Sequence, residues 1–405
     1  MSVAAPSGWR VSTLGECCQI VSGGTPKRGV SEYWGGSVPW VTPKDISGLD
    51  QPDFGCPPET ISDLGLKKSS AALLPPGAIL MSSRAPIGLL AIATQPMATN
   101  QGFKSLVPGP DLDSRFLYYA VKRMIPYIQE RGSGATFKEV SKSVVSEIPI
   151  AFPKLGDQRR IATVLDKANG IRRMHERALA IAREFLTSVF QEMFGAQVFP
   201  TNSKYYRPIS RLIDEGLIVG IQDGNHGEIH PKSKDFSDTG IPFVTANMLS
   251  AGKVSTEGAH HLDQQWMRRL RIGFAKPSDV LLTHKGSIGF TAIVDERTPN
   301  LILSPQVTYY RLNQDRLIPE YLVAYFRSGY FQSILQQFSK QSTRAYIGIT
   351  RQKDLKILVP PLEQQQKFAA LYRQLRAMES PQENSMRDAE KLTLSLSQRA
   401  FRGEL

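Results

Sequence analysis

Apolar residues follow two rhythms along this chain, and both recur twice in the same order. Short apolar runs between glycine- and proline-rich turns, such as Ala78-Ile79-Leu80-Met81 and Asp279-Val280-Leu281-Leu282-Thr283, predict strands. A helical pattern follows each set, over Ser114 to Glu130 and over Pro319 to Phe338. A short strand is then predicted from Val145 to Phe152 and from Leu355 to Val359, ending at proline. Each copy closes on a long helix. From Asp157 to Phe194 there is no proline, and Ile161, Val164, Ala168, Ile171, Ala178, Ala182, Phe185 and Val189 keep the a/d spacing of a heptad, with His175 in one a position. At ~1.5 Å per residue such a helix spans roughly 55–60 Å. Phe368, Leu371, Leu375 and Met378 repeat the spacing in the second copy. A break is expected there near Ser380-Pro381, with the pattern resuming at Met386, Ala389, Thr393, Leu396 and Ala400.

The copies also match residue by residue. Ser37-Val38-Pro39-Trp40-Val41-Thr42 answers Gly240-Ile241-Pro242-Phe243-Val244-Thr245, and Ser83-Arg84-Ala85-Pro86-Ile87-Gly88 answers His284-Lys285-Gly286-Ser287-Ile288-Gly289. Arg115 to Tyr119 answers Glu320 to Ala324, Pro153 to Gln158 answers Pro360 to Gln365, and Ser188 to Phe194 answers Ser395 to Phe401. Five matches in one order mark two tandem units. The expected class is α+β: two pseudo-symmetric units, each a mixed α/β globular part followed by a long helix. A long apolar stripe needs a partner, and the other copy supplies it as an antiparallel coiled coil. The expected divisions are 1–152 and 201–358 for the globular parts, 153–200 and 359–405 for the helices.

Length and charge sharpen this picture. The 405 residues exceed one ordinary domain. The net charge of +12 points to a polyanionic partner. It divides as +2 over 1–152, +3 over 153–200, +6 over 201–358 and +1 over 359–405, so folded surfaces rather than a basic tail would meet nucleic acid. No apolar run approaches the ~20 residues that span a bilayer. The first ten residues have no secretory apolar core, and Cys17, Cys18 and Cys56 are too few for a disulfide framework. A cytoplasmic setting with no membrane partner is expected.

The sequence carries no convincing catalytic motif. The phosphate loop is absent: Gly23-Gly24-Thr25-Pro26 leads to no helix. Adjacent His260 and His261 suit one metal poorly, so no metal site is assigned. Gly286-Ser287-Ile288-Gly289 has Ala85-Pro86 in its first copy, which argues against a nucleophile. None of the Pro-Pro pairs carries the aromatic that a base-flipping methyltransferase loop requires, and no carboxylate–lysine cluster suggests a nuclease.

The candidate contact residues are polar loop positions, because Arg or Lys pairs with guanine and Asn or Gln with adenine in the major groove. In the first unit these are Thr25, Lys27, Arg28, Thr42, Lys44, Ser82, Ser83, Arg84, Asn100, Gln101, Thr136 and Lys138. In the second they are Gln222, Asn225, His226, Asn247, His284, Lys285, Gln306, Thr343 and Arg344. Loop Asn, Thr and Gly also serve as caps and turns. Arg84 and Lys285 stand out, since both follow a buried-looking strand and precede Ile-Gly.

With these residues in view, the chain resembles the specificity subunit of type I restriction-modification systems. The resemblance rests on Trp9, Leu14-Gly15-Glu16, Gly23-Gly24-Thr25-Pro26, Pro39 to Ile46, Ser83 to Gly88, Thr99-Asn100-Gln101-Gly102, Leu186 to Phe190 and Arg399 to Leu405. The second unit departs from it, with Ser304-Pro305-Gln306 in place of Thr-Asn-Gln-Gly. The resemblance implies two target-recognition domains reading the halves of a bipartite double-stranded DNA site. It implies two modification subunits, holding S-adenosylmethionine and methylating adenine, docked on the helices, and restriction subunits that use ATP and Mg. It implies no cofactor and no active site in this chain. The alternatives are a DNA-reading adapter of another defence complex and a coiled-coil scaffold that binds no DNA.

Overall fold

The computed structural model describes residues 5–134, 138–198, 205–224, 229–298, 300–340 and 346–405. The chain divides into two compact units, Met1–Arg177 with Asn384–Leu405, and Ala178–Glu383. Each unit therefore owns part of both long helices.

In the first unit a five-stranded sheet runs in the order Cys18–Ser22, Lys104–Pro108, Ile79–Met81, Leu90–Ala93, Asp53–Phe54. A three-stranded sheet holds Trp34–Val41 between Glu59–Ile61 and Ala98–Thr99. The second unit repeats the plan. Its six-stranded sheet begins Ile218–Asp223, Val307–Leu312, Val280–Thr283, Thr291–Ile293, and a four-stranded sheet contains Ile241–Val244 beside Leu301–Leu303. The parallel pairing of Trp40 with Ala98 is matched by that of Phe243 with Ile302. Each unit also ties its entry to its exit, since Arg10–Thr13 pairs antiparallel with Pro149–Phe152, and Tyr206–Pro208 with Lys356–Leu358.

The long helices are continuous over Leu155–Val198 and Leu362–Ala400. In the first unit, Ile161 and Leu165 near the start of the central helix share a core with Ala400 and Phe401 at the end of the C-terminal helix. In the second unit, Phe190 and Phe194 near the end of the central helix pack with Phe368 and Tyr372 near the start of the other. Start meets end in both units, which is the antiparallel sense.

Four local expectations are corrected. The break at Ser380-Pro381 is absent, and the helix runs through Pro381. A proline inside a helix costs ~3 kcal/mol, but the turns on either side are anchored. Glu379 lies 2.6 Å from Arg376, and Glu383 lies 3.1 Å from Lys253.

The apolar stripe of the central helix is rotated by one residue along one of its two rows. Leu165, Leu179 and Leu186 are buried where Val164, Ala178 and Phe185 were expected, and Ile171 and Phe185 remain exposed. Both rows stand three or four residues from Ile161, Ala168 and Ala182, so spacing alone admitted either. Packing chose the row that carries three leucines.

The helix expected over Pro319 to Phe338 is two, Pro319–Arg327 and Gly329–Lys340. Ser328 separates them because its hydroxyl accepts the Phe331 amide at 3.3 Å and donates to the Tyr325 carbonyl at 2.7 Å. Likewise Lys142–Ser146 is a short helix capped by Ser141, so the strand begins only at Pro149.

Candidate nucleic-acid interface

The two units build the same backbone frame around their basic loop residues. In the first, the Ser83 amide donates to the Gly102 carbonyl at 2.7 Å and the Val140 amide to the Ser83 carbonyl at 3.0 Å. In the second, the His284 amide donates to Gln306 at 2.9 Å and the Ile347 amide to His284 at 2.9 Å. This register sets Arg84 opposite Glu139 and Lys285 opposite Tyr346 in isolated antiparallel bridges. The side chains then differ. The Arg84 guanidinium stands 3.8 Å from Glu139, whereas the Lys285 ammonium lies 6.0 Å over the Tyr346 ring. Both cations reach solvent.

Around Arg84 the frame is tight. A side chain at Gly23 would collide with the carbonyls of Asn100 and Thr99, and one at Gly24 with the backbone of Ala71. This explains why the sequence has two glycines there without any phosphate-binding helix. Thr25 hydrogen-bonds Gln101, which is exposed. The Asn100 carboxamide oxygen accepts the Gly102 amide at 2.8 Å and so shapes the loop. Thr42 likewise turns on Asp45, which accepts both its amide at 2.7 Å and its hydroxyl at 2.8 Å. Lys27, Lys44 and Lys138 are exposed.

Arg28 is engaged by its own unit. Its guanidinium forks onto Glu59 at 2.6 and 3.0 Å and stacks 3.9 Å over Trp34. Hydrogen bonds from Arg28, then its charge, hold the Glu59 carboxyl below the ordinary carboxylate range.

In the second unit, a side chain at Gly224 would meet the carbonyls of Ser304 and Leu303, so Gly224 plays the part of Gly23. Gln222 accepts the Tyr309 hydroxyl at 3.4 Å. Asn247 is exposed on an open cleft of about 390 Å³ lined by Phe243, Thr245, Ser255 and His260. Gln306 is half-buried and contributes its carbonyl to the frame. Beneath Lys285 runs a buried polar chain. The Thr308 hydroxyl lies 2.8 Å from His284 Nδ1 and accepts Gln352 Nε2 at 3.0 Å, and the Tyr310 hydroxyl donates to Gln352 Oε1 at 2.6 Å.

Three candidates are thus corrected from contact to support. Ser82 and Ser83 are buried and hydrogen-bonded inside the fold, and His284 is buried with its Nδ1 2.8 Å from the Thr308 hydroxyl and its Nε2 3.7 Å from Asp223. Alternation put them next to an exposed cation, but their backbones belong to the frame. Thr136, Asn225, His226, Thr343 and Arg344 lie outside the described residues. Sequence reasoning missed Glu139, Tyr346 and Trp34, which set the surroundings of Arg84, Lys285 and Arg28. Only the fold brings the first two across the loop, although an aromatic close to Arg28 was a legible signal.

Among the described residues, no group of three or more His, Cys, Asp or Glu is placed to hold a metal ion, and no helix is long and apolar enough to cross a membrane.

The family of the type I restriction modification DNA specificity domain matches residues 6–178 and 221–382. The chain is 27% identical over 390 residues to the type I restriction enzyme MjaIX specificity subunit of Methanocaldococcus jannaschii, covering 91% of this chain and 87% of that one. It is 22% identical to the EcoKI specificity subunit of Escherichia coli K12, covering 99% and 90%. Among solved structures, the type I restriction-modification system S subunit from M. genitalium aligns with a TM-score of 0.60 at 14% identity, over 97% and 96% of the chains. A chain from a structural study of complex assembly and conformational transition of the type I R-M system aligns at 0.51 and 19% identity, over 99% of each.

Proposed function

Since the chain belongs to the family of the type I restriction modification DNA specificity domain, matched in both of its units, we propose that it reads a bipartite double-stranded DNA site, one half-site per unit. The observation that carries this reading is the duplicated frame. One backbone arrangement presents Arg84 beside Glu139 in one unit and Lys285 beside Tyr346 in the other. Equivalent positions with different side chains are what two readers of different sequences need. Exposed Gln101, Lys27, Lys44 and Lys138 in one unit and Asn247 in the other supply further donors.

The chain contributes recognition, and the chemistry belongs to modification subunits docked on its long helices, with restriction subunits joining that complex. An exposed apolar row supports the docking. In the second unit Ala178, Ile181 and Phe185 lie on the face of the central helix turned away from Leu186 and Phe190. Ile171 and Met174 are exposed in the first. Such a protein works on the cell's own DNA, in the cytoplasm.

The test is to co-produce the chain with a modification subunit and read adenine methylation in a random-sequence library. One bipartite motif is expected, with Lys285→Ala relaxing one position of one half by ~1–3 kcal/mol and Arg84→Ala doing so in the other half. Methylation by the purified chain alone, or a change in both halves from either variant, would overturn the reading.

A further inference from the structure

The second unit contains an arginine that pairs directly with no carboxylate among the described residues. Arg327, at the end of its helix, is half-buried, and its side chain makes no ion pair or hydrogen bond among the described residues. Its neighbours are mostly of the same sign. Arg376 hydrogen-bonds the Tyr372 hydroxyl at 2.8 Å and pairs with Glu379 at 2.6 Å, and Lys253 reaches Glu379 at 3.4 Å and Glu383 at 3.1 Å. Arg183 lies 3.5 Å from Glu383, and its buried Nε, 4.0 Å from Glu379, makes no hydrogen bond among the described residues. Two carboxylates thus face four cations, and two positive charges remain in excess. Burial first, then Arg376 and Arg183, push the Arg327 guanidinium below its ordinary pKa, against the opposing pull of Tyr372 and Glu379.

An arginine in this position cannot escape by losing its proton. A partly buried charge without a direct counter-ion is costly, and the cost falls when an anion arrives. The space for one is present. A cleft of about 50 Å³ is lined by Arg183, Gln191, Arg327 and Tyr372, which offer guanidinium, amide and phenol donors, beside Phe190 and Phe368.

The first unit repeats the motif at the matching helix position. Lys122 stands to Phe116 as Arg327 stands to Tyr321. Its ammonium lies 5.7 Å over the Tyr118 ring and meets no carboxylate among the described residues. Lys122 stays accessible to solvent, yet desolvation first, then Arg172 and Arg173, lower its pKa.

We propose that the Arg327 cleft, and the equivalent place around Lys122, each receive one phosphodiester of the DNA backbone, outside the loops that read bases. This rests on the DNA-reading function proposed above. A tetrahedral phosphate accepts from several donors at once, and a duplicated cation site suits a ligand whose two strands are chemically alike. The apolar row that supports protein docking lies on the opposite face of the central helix from Arg183, so a backbone phosphate fits this cleft better than an acidic side chain of a docked subunit.

The test uses the full chain and a labelled duplex of random sequence, because a phosphate contact is blind to sequence. Affinity is measured across a salt series for wild type, Arg327→Gln, Arg327→Lys and Lys122→Gln. Each glutamine variant should lower the slope of log affinity against log salt by about 0.9, the share of one phosphate. Arg327→Lys should restore the slope, and the melting temperature should not fall. The methylated motif should stay the same. An unchanged slope in both glutamine variants, with salt-dependent binding intact in wild type, overturns the phosphate sites and leaves DNA reading standing. No DNA binding by wild type removes the reading itself. A slope that is unchanged while assembly with the modification subunit weakens would assign the cleft to a partner carboxylate and also overturn the proposal.

Discussion

The carboxamide of Gln158 accepts the backbone amide of Asp113 at 2.8 Å, fastening the start of the central helix to the cap of the helix Ser114–Glu130. The same carboxamide donates to the carbonyls of Asp111 and Pro153, each at 2.8 Å. Gln365 repeats the clasp. It accepts the Ile318 amide at 3.0 Å and donates to Pro360 at 2.9 Å. Both glutamines are fully buried. Replacing either by leucine keeps the volume and strands buried backbone groups, which costs ~1–3 kcal/mol per unsatisfied group. Gln158→Leu should lower denaturant stability by ~2–4 kcal/mol and speed hydrogen exchange at the Asp113 amide. Exchange that stays slow would show that the clasp does not hold the helix start.

Gly23 and Gly224 should tolerate no side chain, since each faces two carbonyl oxygens of the neighbouring turn. Overpacking of this kind costs ~1–3 kcal/mol. Gly224→Ala should displace the Ser304 turn and weaken recognition of one half-site, leaving the other half of the methylated motif intact. Gly29→Ala, where nothing lies nearby, is the control. Equal behaviour of the two variants would remove the steric explanation.

Thr308→Val takes one hydroxyl out of the buried chain through His284, Gln352 and Tyr310. The Gln352 amide then loses an acceptor where water cannot reach. A loss of ~1–3 kcal/mol is expected, read by urea unfolding, with looser placement of Lys285 seen as a weaker preference in that half-site. Wild-type stability in the valine variant would mean that the chain of hydrogen bonds contributes nothing net.

Arg28→Ala should affect stability in a pH-dependent way and leave the methylated motif unchanged, because its guanidinium is held by Glu59 and Trp34. The Glu59 carboxyl is depressed below its ordinary 4.5. Its contribution is therefore present above that value and lost as pH falls through the lower folded value. The melting temperatures of wild type and variant should differ at neutral pH and converge in acid. The difference will be small, since both partners are exposed. A relaxed methylated motif in Arg28→Ala would instead make Arg28 a reader.

Much of this protein was legible before folding was considered. The duplication, the two long helices and their antiparallel pairing follow from periodicity and repetition, which are local properties of the chain. So does the placing of Arg84 and Lys285 after a buried strand. Which row of the central helix turns inward did not follow, because Val164 and Leu165 sit equally close to the Ile161 row and only the facing residues decide between them. Pro381 stays helical between Glu379 and Glu383, both of which pair with Lys253, distant in sequence. Ser83 and His284 read as loop polar residues, yet strand pairing with residues about twenty and sixty positions away buries them. The surroundings of the basic residues, Glu139 beside Arg84, Tyr346 beside Lys285 and the crowded cations around Arg327, were decided by tertiary structure alone. Charge and exposure depend on what the fold brings within a few ångströms, and no spacing rule along the chain encodes that.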